Sequence, residues 1–317
     1  MPTEPLKGLL DRDLSKAMAK DLIDVACPLL QELVNYATNA WRRCETSMSK
    51  AENENLAAVF LYLHIIEMTD GIEALLRGSC CVPAMPLVRS SFEGLVSIEY
   101  ILESPSKYVQ RSLSWLAGYA HERLKKHRGL DPSTQRGKEL WQEIQSDPTL
   151  SRTLKAMPTK AQAQQIQQPL TKLLNRPQFA SIEAEYTRLK KKSKREPAWY
   201  HLFDGPASLE SLCIHLGHGR LVMYELLYRH WSSIVHAGDL SRFITRTATG
   251  ERAIWSLRNA RDFQMVALSA ATFILEATEK MLRNFRPTES IAQWCLSEIR
   301  ERYLWLAQSE ISIKEIV

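Results

Sequence analysis

Apolar residues recur every three to four positions through most of this 317-residue chain, the period of an α-helix. Leu14, Met18, Leu22, Val25, Leu29, Leu33, Tyr36 and Trp41 predict one amphipathic helix over 13–46, with Pro28 placing a kink or break inside it. Residues 54–77 are apolar on most sides, which predicts a central helix. Pro83 and Pro86 mark the start of the next, running to about 103, and after Pro105 another helix spans 107–128. The stretch 129–200 is polar, Gln-rich and cut by prolines, the pattern of short helices in a peripheral insertion. The helical period returns in ASLESLCIHLG, turns at Gly217 and Gly219, and resumes over 220–236 with Gly238 as the closing residue. Residues 239–256 lack the period and fit a long loop or a small hairpin. Helices over 257–285 and 288–309 complete the chain. The expected fold class is all-α: one helical-bundle domain over 1–317, with an N-terminal helix within 1–50 and a polar insertion at 130–198.

Composition sharpens this picture at a few points. With 12 glycines and 14 prolines, turns are scarce, which favours long helices over a many-stranded sheet. None of the six cysteines forms a CxxC pair, and all read as reduced thiols. No apolar run approaches the ~18 residues of a membrane span, and the N-terminus lacks a secretory apolar core. A cytoplasmic protein without membrane contact is expected. The net charge of +5 permits an anionic partner without demanding one. The basic run RLKKKSKRE, 188–196, is either a solvated helix end or an electrostatic footprint for RNA. Cys213, His215 and His218 match no standard zinc spacing, and no phosphate-binding or dinucleotide-binding glycine motif is present. No metal or cofactor is therefore expected.

The densest polar stretch is YRHWSSIVHAGD, 228–239. Residues seven apart in a helix differ by about 20° in direction, so Arg229 and His236 share a face. Ser232 and Ser233 lie between them, and Glu225 stands four residues before Arg229, the spacing of an ion pair. Leu226, Leu227, Trp231, Ile234 and Val235 form the opposite stripe, which can face the core. An Arg suits phosphate, and a His near a helix C-terminus is favoured as imidazolium and can transfer protons. Because the ribose 2′-OH is a built-in nucleophile, the two are a sufficient set for cleaving RNA without metal. In VRSSFEG, Arg89 and Glu93 are either an intrahelical ion pair or part of the pocket around Arg229 and His236, where Arg89 would hold a second phosphate oxygen. Trp199 and Tyr200, beside the basic run, either stack on bases or plug the edge of a core.

RHWSSIVH resembles the Arg-x(4–6)-His motif of the HEPN superfamily, with a polar residue, His230, directly after the Arg. The wider pattern is similar to an uncharacterised bacterial HEPN-like family. In that family a helix like LVRSSFEGLVSIEYIL, here 87–102, precedes a YR-x-x-S-x-x-VH helix, here 228–236 beginning at Tyr228. The similarity spans roughly 54–127 and 199–285. It implies an α-helical bundle, often a homodimer with two Arg-His helices facing each other. It also implies a metal-independent endoribonuclease of a toxin–antitoxin or phage-defence system, acting on RNA and controlled by an antitoxin or defence partner. Arg229 and His236 would then be the catalytic pair, with His230 supplementing them and Arg89, Glu93, Tyr228, Ser233, Trp199 and Tyr200 binding. Some HEPN-like families act instead as non-catalytic interaction modules.

Overall fold

Asp11 accepts the Leu14 amide at 2.9 Å and starts α1 (Arg12–Met18). The structure, a computed structural model, describes residues 3–47, 56–153, 160–193, 196–236, 243–246 and 250–308. The first long helix departs from expectation. The chain breaks at Ala19, and α2 (Lys20–Ser47) then runs on through Pro28. Ser15 explains the break: its hydroxyl donates to Asp11 O and to Arg258 O, 2.6 and 2.9 Å away. That anchor turns Ser15 and Ala19 inward and leaves Leu14 and Met18 exposed.

Four helices enclose the main core. The nearly all-apolar α3 (Leu56–Arg77) packs on α2, on α4 (Cys81–Leu102) and on α13 (Phe263–Phe285), as its sequence leads one to expect of a central helix. Leu30, Ile65, Ile72, Met85, Phe92 and Phe273 are fully buried between them. The Tyr62 hydroxyl ties three of the four together, meeting Thr278 Oγ1 at 2.7 Å and donating to Ala37 O at 3.3 Å. Helix α13 begins six residues later than its periodicity implies, after an irregular segment at 255–262.

The chain divides into two compact units, Met1–Pro105 with Leu212–Val317, and Ser106–Ser211. The second contains α5 (Tyr108–Leu130), α6 (Gln135–Ser146), α7 (Pro148–Thr153), α8 (Lys160–Leu174) and α9 (Ala180–Ser193). It is wider than the 130–198 stretch picked out by composition because α5 packs on α6, α8 and α9. Its core includes Ala117, Ala120, Phe179, Ile182 and Tyr186, with His121 stacked on Tyr186 at 3.8 Å and bonded to Glu183 at 2.9 Å. Arg188 and Lys190 of the basic run are paired with Glu185 and Glu196 at 2.7 Å, while Lys191 and Lys192 are exposed. Residues 194–195 lie outside the described residues.

The first unit resumes with α10 (Leu209–Leu216), α11 (Arg220–Met223) and α12 (Arg229–Val235), the last two joined by one π-turn at Tyr224–Tyr228. The segment 239–256 contains a small hairpin, β1 (Ile244–Arg246) antiparallel to β2 (Arg252–Ile254) with Thr245 opposite Ala253. After α13 come α14 (Ala292–Trp294), a second π-turn and α15 (Arg300–Gln308). The all-α class holds, with this hairpin as the sheet among the described residues. No described helix is long and apolar enough to cross a membrane.

Arg220 fixes where the α11–α12 segment enters the core. Its guanidinium donates twice to Glu99 of α4, Nε to Oε2 at 2.7 Å and Nη2 to Oε1 at 2.8 Å, and again to Glu276 of α13. Arg220 and Glu99 are both buried, and Lys280 Nζ lies 3.8 Å from Glu99. Burial opposes the charge on Arg220, but the bonds and attraction from Glu99 and Glu276 outweigh it and raise the guanidinium pKa. Removing one partner of such a pair strands the other charge, at a cost of about 3–5 kcal/mol. Arg220→Met should lose stability on that scale in urea denaturation. A loss below about 1 kcal/mol, the range of an exposed pair, would show that the bridge does not hold these helices.

Candidate functional site

The candidate site is built on the segment after α10. Gly217, His218 and Gly219 all have left-handed backbones, with φ of 66°, 47° and 76°. Two of the three are glycine, which takes that conformation without strain. The tight turn delivers Arg220 to its carboxylates. Four residues on, the π-turn adds an extra residue to the helix and rotates the side chains beyond it. The expected apolar stripe is therefore split. Trp231 is fully buried, edge-on to Phe273 at 6.4 Å. Leu226 and Val235, placed on the same inward face by a regular period, are 69% and 45% exposed. Leu226 lies within the π-turn, which takes it out of register with Trp231, while Val235 is the last residue of α12, at its exposed C-terminal end.

Arg89, Glu93 and Tyr228 come together as one group. Arg89 Nη2 donates to the Tyr228 hydroxyl at 2.8 Å, and that hydroxyl donates to Glu93 Oε1 at 2.9 Å. Arg89 Nε also lies 3.3 Å from Glu93 Oε1, though not aligned as a hydrogen bond. The guanidinium carbon sits 4.6 Å from the Tyr228 ring centre, and Tyr224 stacks on the same ring at 5.2 Å. Burial first, then the nearby Glu93 carboxylate, pushes the Tyr228 phenol up to about 12, against the opposing pull of Arg89. Tyr228 is therefore a neutral phenol at physiological pH, and the ion pair is bridged between two elements rather than confined to α4.

Arg229 and His236 lie on α12 and at its C-terminal cap, both exposed. Arg229 Nη1 donates to Glu225 Oε2 at 2.8 Å, the pair its spacing implies. The His236 amide donates to Ser232 O at 3.1 Å and ends the helix. Gly238, the expected closing residue, lies outside the described residues. Ser233 donates its hydroxyl to His230 O at 2.6 Å, a bond within the helix itself. His230 has a different setting: with Ile234 it lines one wall of a cleft of about 570 Å³. Phe243 and Trp255 flank the hairpin and line another part, and Asn259, Arg261 and Asp262 contribute from the segment entering α13. Among the described residues that line this cleft, neither Arg229, His236, Arg89 nor Glu93 appears.

Trp199 and Tyr200 belong to the second unit, in a 3₁₀ turn (Trp199–Asp204). Trp199 packs so closely on α5 that a Cβ on Gly118 would come within 2.8 Å of its own Cβ. The two rings contact edge to face at 5.5 Å. Both side chains are half-buried. His215 bonds Glu103 at 3.0 Å, and Cys213 is buried. Among the described residues, no group of three or more His, Cys, Asp or Glu could hold a metal ion. Sequence patterns missed Arg220, Trp255, Arg261 and Asp262. A cation directly after a Gly-His-Gly turn is a usable signal for the first, but no periodicity marks the other three.

Fold and site together define an all-α protein with a polar, partly exposed helix pinned by a buried ion pair. The chain belongs to a family of unknown function (DUF5677), whose model matches residues 55–252. No curated protein and no solved structure matches the chain. The matched region carries Arg89, Glu93 and the whole of α10–α12, and it stops before Trp255, Asn259, Arg261 and Asp262.

Tyr228→Phe deletes the hydroxyl that joins Arg89 to Glu93. It should cost about 1.5–3 kcal/mol near neutral pH, the scale of hydrogen bonds to charged groups. The phenol's pKa is raised on folding, so its contribution is complete below pH ~10 and fades as pH rises towards about 12. The variant should therefore lose less stability than wild type over that window. Equal losses, read from denaturation midpoints at stepped pH, would place Tyr228 outside the linkage.

Proposed function

We propose that the protein is a HEPN-like, metal-independent endoribonuclease of a bacterial toxin or phage-defence type. The observation that carries this reading is the pairing of Arg229 and His236 on one exposed face of a helix whose opposite side is anchored by the buried Trp231. An exposed Arg–Glu pair is worth only ~0.2–1 kcal/mol, so a phosphodiester can displace Glu225 from Arg229 at small cost. Arg229 then binds the scissile phosphate through its planar fork. His236 donates or accepts the proton as the 2′-oxygen attacks phosphorus and the 5′-oxygen leaves. The bonded group of Arg89, Tyr228 and Glu93 stiffens the turn just before this pair.

Val222 and Leu226, 58% and 69% exposed, present apolar surface on the same segment and support a homodimer in which two such helices meet. The same surface favours a second reading, a non-catalytic interaction module that docks an antitoxin or defence partner. One experiment separates the two. Purified protein is incubated with RNA in EDTA, beside Arg229→Ala and His236→Ala variants. The ribonuclease reading expects cleavage by wild type and a drop of at least ~100-fold in each variant, the scale of a lost general acid–base group. Intact RNA at all protein concentrations, or variants that cut as well as wild type, would overturn it. An interaction module expects instead that Arg229→Ala weakens complex formation and changes no RNA.

A further inference from the structure

The 570 Å³ cleft beside α12 has the size of a small-ligand site, and most of its lining takes no part in binding or cleaving at Arg229 and His236. Its polar groups are held in place without being neutralised. Asn259 donates to Ser256 O at 3.1 Å and accepts the Arg261 amide at 3.3 Å, which fixes the loop before α13. The next residue, Asp262, stands at the N-cap of α13, yet its carboxylate makes no capping bond. Among the described residues it has no hydrogen-bond or ion-pair partner, although Arg261 is adjacent in the chain. The Arg261 guanidinium and the His230 ring are likewise without a partner there. Around these groups stand the rings of Trp255 and Phe243 and the side chain of Ile234.

These features select one class of ligand. Two aromatic rings in a largely apolar cleft suit a planar ring system. A carboxylate is an acceptor only, so it calls for donors on the edge of that ring. Guanine alone among the four RNA bases sets two adjacent donors, N1–H and the 2-amino group, on its Watson–Crick edge. Adenine and cytosine place a lone pair beside their amino group, and uracil flanks a single N–H with two carbonyls. Arg261 adds a positive charge suited to a phosphate, and the His230 ring adds hydrogen-bonding nitrogens. Two residues of α12, His230 and Ile234, form one wall, so a nucleotide in the cleft lies against the helix that carries Arg229 and His236.

We infer that this cleft is a guanine-nucleotide pocket, in which Asp262 pairs with the base edge, Trp255 stacks on the base and Arg261 holds phosphate. As an account of where RNA is cut, it rests on the ribonuclease reading, with an unpaired guanosine next to the scissile phosphate.

The test is calorimetric titration of the full chain with GMP, AMP, CMP and UMP. GMP should bind at least about tenfold more tightly than the other three. Asp262→Asn should lose at least tenfold in GMP affinity and gain affinity for xanthosine monophosphate. Xanthine carries a carbonyl where guanine has its 2-amino group, and an amide can donate to it. That gain is a readout a misfolded variant cannot give. Trp255→Ala should weaken all four nucleotides together. GMP binding no tighter than AMP, or an Asp262→Asn variant with wild-type GMP affinity, overturns the assignment. RNA cleavage that needs Arg229 and His236 but shows no GMP preference sinks this pocket and leaves the ribonuclease reading standing. GMP selectivity without any RNA cleavage sustains the pocket and sinks the ribonuclease reading.

Discussion

A bidentate ion pair inside an apolar core is an expensive thing to build. Each ion gives up its hydration, and only a well-aligned partner with further hydrogen bonds offsets that loss. Arg220 meets the condition, with two bonds to Glu99 and one to Glu276. Glu99 comes from α4 and Glu276 from α13, so a single guanidinium joins two core helices to the start of the segment that carries the candidate site. The left-handed Gly217-His218-Gly219 turn delivers it there. Every residue downstream as far as His236 takes its direction from that anchor and from Trp231 further along. Between those two fixed points the chain accommodates one residue more than a regular α-helix would, and the π-turn at 224–228 takes it up.

The extra residue explains which parts of the site were legible in sequence. Helix existence and order were readable because they come from local periodicity: α3, α4 and α5 lie close to where the apolar pattern puts them. The Glu225–Arg229 pair was readable because it spans a short interval. The inward placement of Leu226 was not, because it lies in the π-turn, and nothing in YELLY announces a wider turn. The break at Ala19 was hidden for a related reason. It depends on Ser15 reaching Arg258, a contact across 243 positions that no window of sequence contains. The Arg220–Glu99 bridge, across 121 positions, belongs to the same class. The cleft is the extreme case, since its walls come from α12, the hairpin and the lead-in to α13.

The seat of α12 also carries a cost. The indole N–H of Trp231 and the hydroxyl of Ser91 on α4 are both buried without a hydrogen-bond partner. Each such group costs roughly 1–3 kcal/mol. Arg89 Nε is a second polar atom on α4 left without a hydrogen bond. A segment selected for stability alone would place a Phe at 231 and an Ala at 91. Together with the π-turn, these costs fall on the helix that presents Arg229, His230 and His236, and on the helix it packs against. Departures from local rules concentrate where a chain is constrained by something besides stability.

That concentration bears on how the two polar regions of α12 relate. Arg229 and His236 point to solvent, and His230 lines the cleft, so one short helix serves two surfaces. Adjacent residues on a helix differ by about 100° in direction, which lets Arg229 and His230 face different neighbours without any bend. Anchoring through Trp231 fixes both directions at once, because the next side chain is locked in the core. Any movement of Trp231 would rotate Arg229 and His230 together. The cleft wall and the exposed pair thus share one buried indole as their common anchor.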